Sequence, residues 1–306
     1  MIGRTGGMLT AVASNLALET TPQGWRFAPG LGKQMRQAQS FLGEDLDALE
    51  EISIDYSGPV KCQVVGPWTL AASIELRTGE RALRDLAAVS DIAAALAEAV
   101  CMHVADLRRR MPRASSIVVQ LDEPSLPAVL AGRIGTASGL SSYRAVDSQA
   151  AQRELGRVFN AATEVGAVAG LHCCASDAPI DVVRAAGAQF VSLDFTWLED
   201  QPPQDDALGR AWESGMGILA GCVPTASNEA IGDARASAPL RNVLHRIGLD
   251  DPVWLNQVAI TPACGLAWAS PSWAIDALRA CVAVGRVVKN DDREDEEPDD
   301  RRKGRR

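Results

Sequence analysis

The chain has 306 residues, of which 47% are hydrophobic and 23% charged, and its formal net charge is −9 with a sequence pI near 5.0. These proportions are typical of a globular protein with a sizeable core. The acidic balance argues against a surface for nucleic acid or anionic membranes, because both need clusters of cations. The expected partner is therefore a small molecule, and no oligomeric state is predicted.

Two features favour the cytoplasm as the compartment. No uninterrupted apolar run approaches the roughly 18 residues of a membrane helix. The seven cysteines are an odd number at irregular spacings in a large chain, which is typical of thiols and not of a disulfide framework. We expect a cytoplasmic protein without a membrane contact.

Short segments rich in Val and Ile alternate with longer segments rich in Ala and Leu, which predicts a βα repeat. The six predicted strands are residues 60–66, 116–122, 167–173, 189–194, 217–223 and 253–260. Their apolar runs are nearly continuous, as in a parallel sheet covered by helices. A parallel barrel and a doubly wound open sheet both satisfy this pattern.

The last predicted helix begins at Ser270. It presents Ile275, Leu278 and Val282 on one apolar face, and Gly285 is its expected end.

The residues from 290 onward are strongly charged and almost free of apolar side chains, which is typical of a disordered tail. We therefore divide the chain into one barrel domain, 1–289, and a charged disordered tail, 290–306.

Polar residues collect at the C-terminal ends of the predicted strands. The segments are 66–69, 122–124, 172–174, 194, 224–225 and 264–265. In both kinds of parallel α/β fold this edge of the sheet carries the chemistry. The sequence therefore predicts a site built from several strand ends.

The stretch LHCC ends one of these strands, and its histidine is one of three in the chain. Strand side chains alternate between faces, so His172 and Cys174 project to one side, and Cys173 is expected to pack on the other. Asp194 ends the next strand and Cys264 follows the last one. Zinc binds Cys, His and carboxylate ligands, which makes these positions candidate metal ligands.

A wider pattern joins these positions. Six blocks occur along the chain in the order QGWRF, VVGPWTL, VVQLDEPSL, LHCC, FVSLD and TPACGL. With these blocks the sequence resembles, over nearly its whole length to about residue 288, the C-terminal catalytic barrel of the cobalamin-independent methionine synthase family. The resemblance implies an α/β fold of the (β/α)8 TIM-barrel type. In that family two strands precede the segment matching MIGRTGG, so we expect this chain to lack the first two strands, through a mis-assigned start or a natural truncation.

The resemblance also implies a cofactor and a reaction. Family members bind zinc through residues that match His172, Cys174, Asp194 and Cys264, although Asp194 is one methylene shorter than the family's Glu. Their zinc-bound homocysteine thiolate takes a methyl group from methyltetrahydrofolate and becomes methionine. The implied partners are homocysteine and a methylated folate or another methyl donor.

The remaining candidate residues follow from the same resemblance. Asp122, in the DEP block, matches the carboxylate that receives the ammonium group of homocysteine, and we expect Glu123 to contact the substrate too. Family members carry a His after the seventh strand, where this chain reads AGCVPTAS, so Thr225 is the candidate proton donor. The missing His favours a methyl-corrinoid donor as one alternative. The combined changes favour an inactive homologue that only binds zinc as another.

Overall fold

The computed structural model describes residues 1–198, 202–226, 232–249 and 251–294. They fall into two compact units, Met1–Val191 and Ser192–Arg306. The helices are α1 (Ile2–Val12), α2 (Lys33–Ile52), α3 (Pro67–Ser73), α4 (Leu86–Arg110), α5 (Leu126–Leu130), α6 (Ser148–Glu164), α7 (Ile180–Ala185), α8 (Pro202–Glu213), α9 (Asp233–Ile247) and α10 (Pro271–Glu294). The strands are β1 (Leu18–Thr21), β2 (Gly24–Phe27), β3 (Val60–Val65), β4 (Ile74–Glu75), β5 (Ile117–Asp122), β6 (Val168–Cys173), β7 (Phe190–Asp194), β8 (Gly217–Val223) and β9 (Val258–Pro262).

The larger sheet has six strands in the order β3-β5-β6-β7-β8-β9, which is also their order along the chain. The pairs β3–β5, β5–β6 and β8–β9 are parallel. The register sets Val65 beside Asp122 and Asp122 beside His172, so the C-terminal ends of β3, β5 and β6 lie together. Parallel strands in chain order with helices between them are the repeat of a (β/α)8 barrel, and the predicted fold class is confirmed.

Five of the six predicted strands occur within one residue of their expected bounds. The sixth prediction, 253–260, is wrong in its first half. Residues Pro252–Gln257 form a 3-10 helix, because the Asp251 side chain accepts a hydrogen bond from the Val253 N–H at its start, and Pro occupies the first turn. The strand begins only at Val258.

A second, small sheet was not predicted. β1 and β2 form an antiparallel hairpin, and β2 pairs in parallel with β4. Gly24, the first residue of β2, has a φ of 130°, a backbone conformation that residues other than glycine rarely adopt. The segment is short and only half-buried, so its alternation is weak in the sequence.

The core helix of the first unit is α4, which buries ten side chains along its 25 residues. By length and composition, α4 is the one helix in the described part of the chain that could cross a membrane, and half of its most apolar stretch is buried in the fold. Core helices of globular proteins pass the same test, so this is a weak indication of a membrane span.

In the second unit, α10 packs on a different face from the predicted one. The predicted face is exposed, at 52% for Ile275, 56% for Leu278 and 55% for Val282. Trp273 and Ala277 are buried instead. Both stripes of this helix are apolar, and the stripe that carries the large Trp ring buries more surface.

The end of α10 also lies beyond the predicted stop. The helix continues through Gly285 to Glu294, since a Gly inside a helix costs only about 1 kcal/mol relative to Ala. Residues 290–294 of the predicted tail are therefore part of α10, and 295–306 lie outside the described residues.

Candidate active site and metal centre

Asp122 is the last residue of β5 and is 4% exposed. Its Oδ1 accepts a hydrogen bond of 2.7 Å from the Nε2 of Gln120, which is 7% exposed. Positions two apart on a strand share a face, and residues in register on parallel strands do so too. Asp122 therefore lies on the same face of the sheet as His172, its register partner on β6.

Glu123 turns away from that face and is fully buried. Its Oε1 accepts a hydrogen bond of 2.8 Å from the Trp68 N–H, and its Oε2 accepts from the N–H and the hydroxyl of Thr69 at 2.8 and 2.6 Å. These donors form the first turn of α3, whose N–H groups have no partner within the helix. Burial raises the pKa of Glu123 to about 7, against the hydrogen bonds from Thr69 and Trp68, which lower it.

The geometry gives Glu123 a different function from the predicted contact with substrate. All three of these hydrogen bonds tie the end of β5 to the start of α3. Position 66, just before α3, has to be a glycine, because a Cβ there would lie 2.3 Å from the Glu123 Oε1. Substrate binding by Glu123 stays a prediction.

The LHCC stretch places its side chains as the alternation of a strand predicts. His172 is buried, and the following Cys173, the last residue of β6, has no exposed surface, which confirms that Cys173 packs in the core. Cys174 directly follows the strand and is half-buried. The Glu123 N–H donates to the His172 carbonyl at 2.9 Å, which joins the ends of β5 and β6 beside the candidate ligands.

The other candidate residues also follow strand ends. Asp194 closes β7, and its Oδ1 accepts hydrogen bonds from the Thr196 N–H at 2.9 Å and hydroxyl at 2.6 Å. Thr225 lies in a bend two residues after β8, and Cys264 lies two residues after β9 and is exposed.

His172, Cys174 and Cys264 form a group that could hold a metal ion, since a ring nitrogen and two sulfur atoms lie within 4.8 Å of one another. Two thiolates and an imidazole are a donor set that zinc prefers, and catalytic zinc sites use three protein ligands and keep the fourth position for substrate. Asp194 does not belong to this group among the described residues. Its function as a ligand stays a prediction.

Four of the cysteines outside this group have thiols that burial makes less acidic. Burial raises the pKa of Cys101, Cys62, Cys281 and Cys222, to about 11 for Cys62 and Cys281 and to about 12 for Cys222. No disulfide links the seven cysteines. Because the thiolate is the reactive form, these four thiols should react slowly.

We therefore expect iodoacetamide at pH 8 to alkylate the exposed Cys264 well before Cys62, Cys222 and Cys281, whose thiols have a raised pKa. Added zinc should slow the alkylation of Cys264 and Cys174 but not of Cys101, which is half-buried on α4. Peptide mass spectrometry at timed intervals measures each site in one sample, and Cys101 is the internal control. If added zinc leaves the alkylation rates of Cys174 and Cys264 unchanged, the assignment of these residues as metal ligands is contradicted.

No function was predicted for two residues that organise the site, Gln120 and Thr69. Gln120 stands two positions before Asp122 in VVQLDEP, and the period of the strand places both on one face. Thr69 follows Pro67, which is typical of the first turn of a helix. The acceptor for that turn, Glu123, lies 54 positions away from Thr69, and no local pattern connects them.

Comparisons with known proteins identify the family of the chain. Residues 49–287 match the family described as "Cobalamin-independent synthase, Catalytic domain", while no curated protein matches. A solved B12-independent methionine synthase from Shewanella sp. W3-18-1, in complex with selenomethionine, has a TM-score of 0.56 at 12% identity over 80% of this chain and 67% of its own. A 2,3-dimethylmalate lyase of the PEP mutase/isocitrate lyase superfamily has a TM-score of 0.30 at 12% identity over 83% and 89%. Because the family match spans most of its length, the chain belongs to the family of cobalamin-independent synthase catalytic domains.

Proposed function

We propose that this protein transfers a methyl group from methyltetrahydrofolate to the thiol of homocysteine and forms methionine, with zinc as its cofactor. The observation that carries the proposal is the group of His172, Cys174 and Cys264 in a chain of this family. The Shewanella relative was solved with selenomethionine, which is the selenium analogue of the proposed product.

The donor set fits the proposed cofactor in charge as well as in type. Zinc, when bound, would keep the sulfur of homocysteine in its thiolate form at neutral pH. A neutral His172 with the thiolates of Cys174 and Cys264 balances the two charges of the ion. A carboxylate from Asp194 would make the ligand set more anionic, which would preserve electron density on the substrate sulfur.

The chain's own residues would orient the substrate. Asp122 presents a buried carboxylate on the face that His172 shares, and we assign to it the ammonium group of homocysteine. Fixing that end of the amino acid aligns the sulfur with the methyl group, an effect of positioning. Thr225 is the proposed proton donor to the folate leaving group.

A methyl-corrinoid donor is the alternative that a specific observation favours. The segment AGCVPTAS contains no His, although family members carry one there to assist the departure of folate. The match to a cobalamin-independent family supports folate over this alternative. An inactive homologue that only binds zinc remains the second alternative.

For the partners and the compartment, we propose small-molecule substrates in the cytoplasm. The net charge of −9 supports a protein without nucleic-acid or anionic-membrane partners. Membership in a family of metabolic enzymes supports the same compartment.

The test supplies purified, zinc-loaded protein with homocysteine and one donor at a time, and chromatography measures methionine. We expect methionine with a methyltetrahydrofolate polyglutamate and none with methylcobalamin. If methionine forms with methylcobalamin and not with the folate, the methyl donor is a corrinoid and the folate proposal is overturned. A zinc-loaded protein that forms methionine with neither donor would favour the inactive homologue.

A further inference from the structure

We propose that Gln120 is a positioning residue whose side-chain amide orients the Asp122 carboxylate toward the ammonium group of the substrate. This inference rests on the proposed function. Its basis is the 2.7 Å hydrogen bond from the Gln120 Nε2 to the Asp122 Oδ1, between two side chains that are 7% and 4% exposed.

The backbone of β5 makes this contact rigid. Both residues lie in the strand, whose neighbours on the two sides are β3 and β6. Gln120 is in register with Gln63 on β3 and with Gly170 on β6, and Asp122 with Val65 and His172. A site whose residues lie on paired strands is held more accurately than one on a loop.

The chemistry of an amide suits this function. A hydrogen bond to a charged group is stronger than one between neutral groups, so the amide restricts the rotation of the carboxylate. Gln carries no charge, so its amide orients the Asp122 carboxylate without neutralising it. A Lys or Arg at position 120 would orient the carboxylate equally well but would compete with the ammonium group.

Glu123 shows the contrast with a structural residue. Its oxygens bind backbone and hydroxyl groups of α3, so its loss should lower stability. The Gln120 amide contacts the carboxylate that we assign to the substrate. Its loss should therefore change substrate affinity more than stability.

The test compares two thiols that differ by one group: homocysteine and 4-mercaptobutyrate, which lacks the amine. Calorimetry measures the Kd of each for zinc-loaded parent protein, Gln120→Leu and Gln120→Glu. The control variant is Gln63→Leu, on the same face of the adjacent strand and in register with position 120.

We expect Gln120→Leu to weaken homocysteine binding about tenfold, the size of one charge-assisted hydrogen bond. Binding of 4-mercaptobutyrate should change less than about twofold, because no ammonium group is present for Asp122 to bind. Gln120→Glu should weaken homocysteine binding as well, since a carboxylate cannot donate the hydrogen bond and repels the Asp122 carboxylate out of its orientation. Gln63→Leu should bind both thiols like the parent.

The outcomes separate the two proposals. If the parent prefers homocysteine to 4-mercaptobutyrate and Gln120→Leu keeps that full preference, the function of Gln120 is overturned and the proposed reaction stands. An equal loss of both thiols in Gln120→Leu would assign Gln120 a structural function and also overturn the inference. A parent that binds neither thiol would overturn the proposed function itself.

In turnover, the same variant should raise the KM for homocysteine about tenfold and leave the KM for the methyl donor unchanged. A lower kcat with both KM values unchanged would contradict an orienting effect on the bound amino acid.

Discussion

Cys174→Ala and Cys264→Ala should each leave the purified protein almost without zinc and without methyl transfer. Each variant removes one of the three atoms that lie within 4.8 Å of one another, and two ligands do not form the three-ligand site that catalytic zinc requires. Substitution of residues that merely support metal ligands costs about 10–100-fold in affinity or activity, so loss of a ligand should cost more. Elemental analysis after dialysis gives zinc per chain, and methionine formation gives activity.

The matched control is Cys101→Ala. Cys101 is half-buried on α4 and does not belong to the His172 group among the described residues, so this variant should retain zinc and activity. A parent protein that folds but holds no zinc would overturn the methyl-transfer proposal. Loss of zinc in all three variants would indicate a general effect of losing a cysteine.

A substitution of Asp194 tests whether the zinc site has three protein ligands or four. If Asp194 is a fourth ligand, Asp194→Ala should release zinc as Cys174→Ala does. Its Oδ1 already accepts two hydrogen bonds from Thr196, which ties this carboxylate to its own loop. We therefore expect Asp194→Ala to lose less zinc than either cysteine variant.

The strand ends could be predicted because one local rule governs them. Alternation of side chains along a strand placed His172 and Cys174 on one face, and a ring nitrogen of His172 and the sulfur of Cys174 lie within 4.8 Å of each other. The same rule separates Asp122 from Glu123. It does not tell what lies on the second face, and there Glu123 meets the first turn of α3 from a distant part of the chain.

The wrong predictions share a physical cause: more than one arrangement satisfied the local pattern. In α10 two stripes are apolar, and only packing decided that Trp273 is buried and Ile275 exposed. Before β9, the apolar run VWL suits a strand, but Asp251 caps a 3-10 turn there. Tertiary contacts determine such choices, and they do not leave a local signal.

Gly66→Ala should be strongly destabilising, although the backbone at Gly66, with φ −74°, is open to any residue. The added Cβ would lie 2.3 Å from the Glu123 Oε1 and 2.5 Å from its Cδ and Cγ. Relief requires the buried carboxylate to move, and the N–H groups of Trp68 and Thr69 then lose their acceptor. We expect a loss of about 3–5 kcal/mol in the free energy of unfolding, measured by urea denaturation.

Gly43→Ala is the matched control, because Gly43 lies inside α2 with no atom within 4 Å of an added Cβ. It should raise the free energy of unfolding by about 0.5–1 kcal/mol, since Ala is the better helix former. A similar loss of stability in both glycine variants would contradict the clash with Glu123.

A double-mutant cycle then assigns the Gly66 effect to one contact. Glu123→Ala alone should lower the free energy of unfolding by about 2–4 kcal/mol. It removes the carboxylate that accepts three hydrogen bonds and leaves buried N–H groups without an acceptor. In the double variant the Cβ at position 66 no longer meets a carboxylate, so its cost should be well below the sum of the two single costs. Strict additivity would mean that Gly66 is required for another reason and that Glu123 does not fix the start of α3. A combined cost below that sum would show that the close contact between Gly66 and Glu123 fixes the end of β5, including Asp122, to the start of α3.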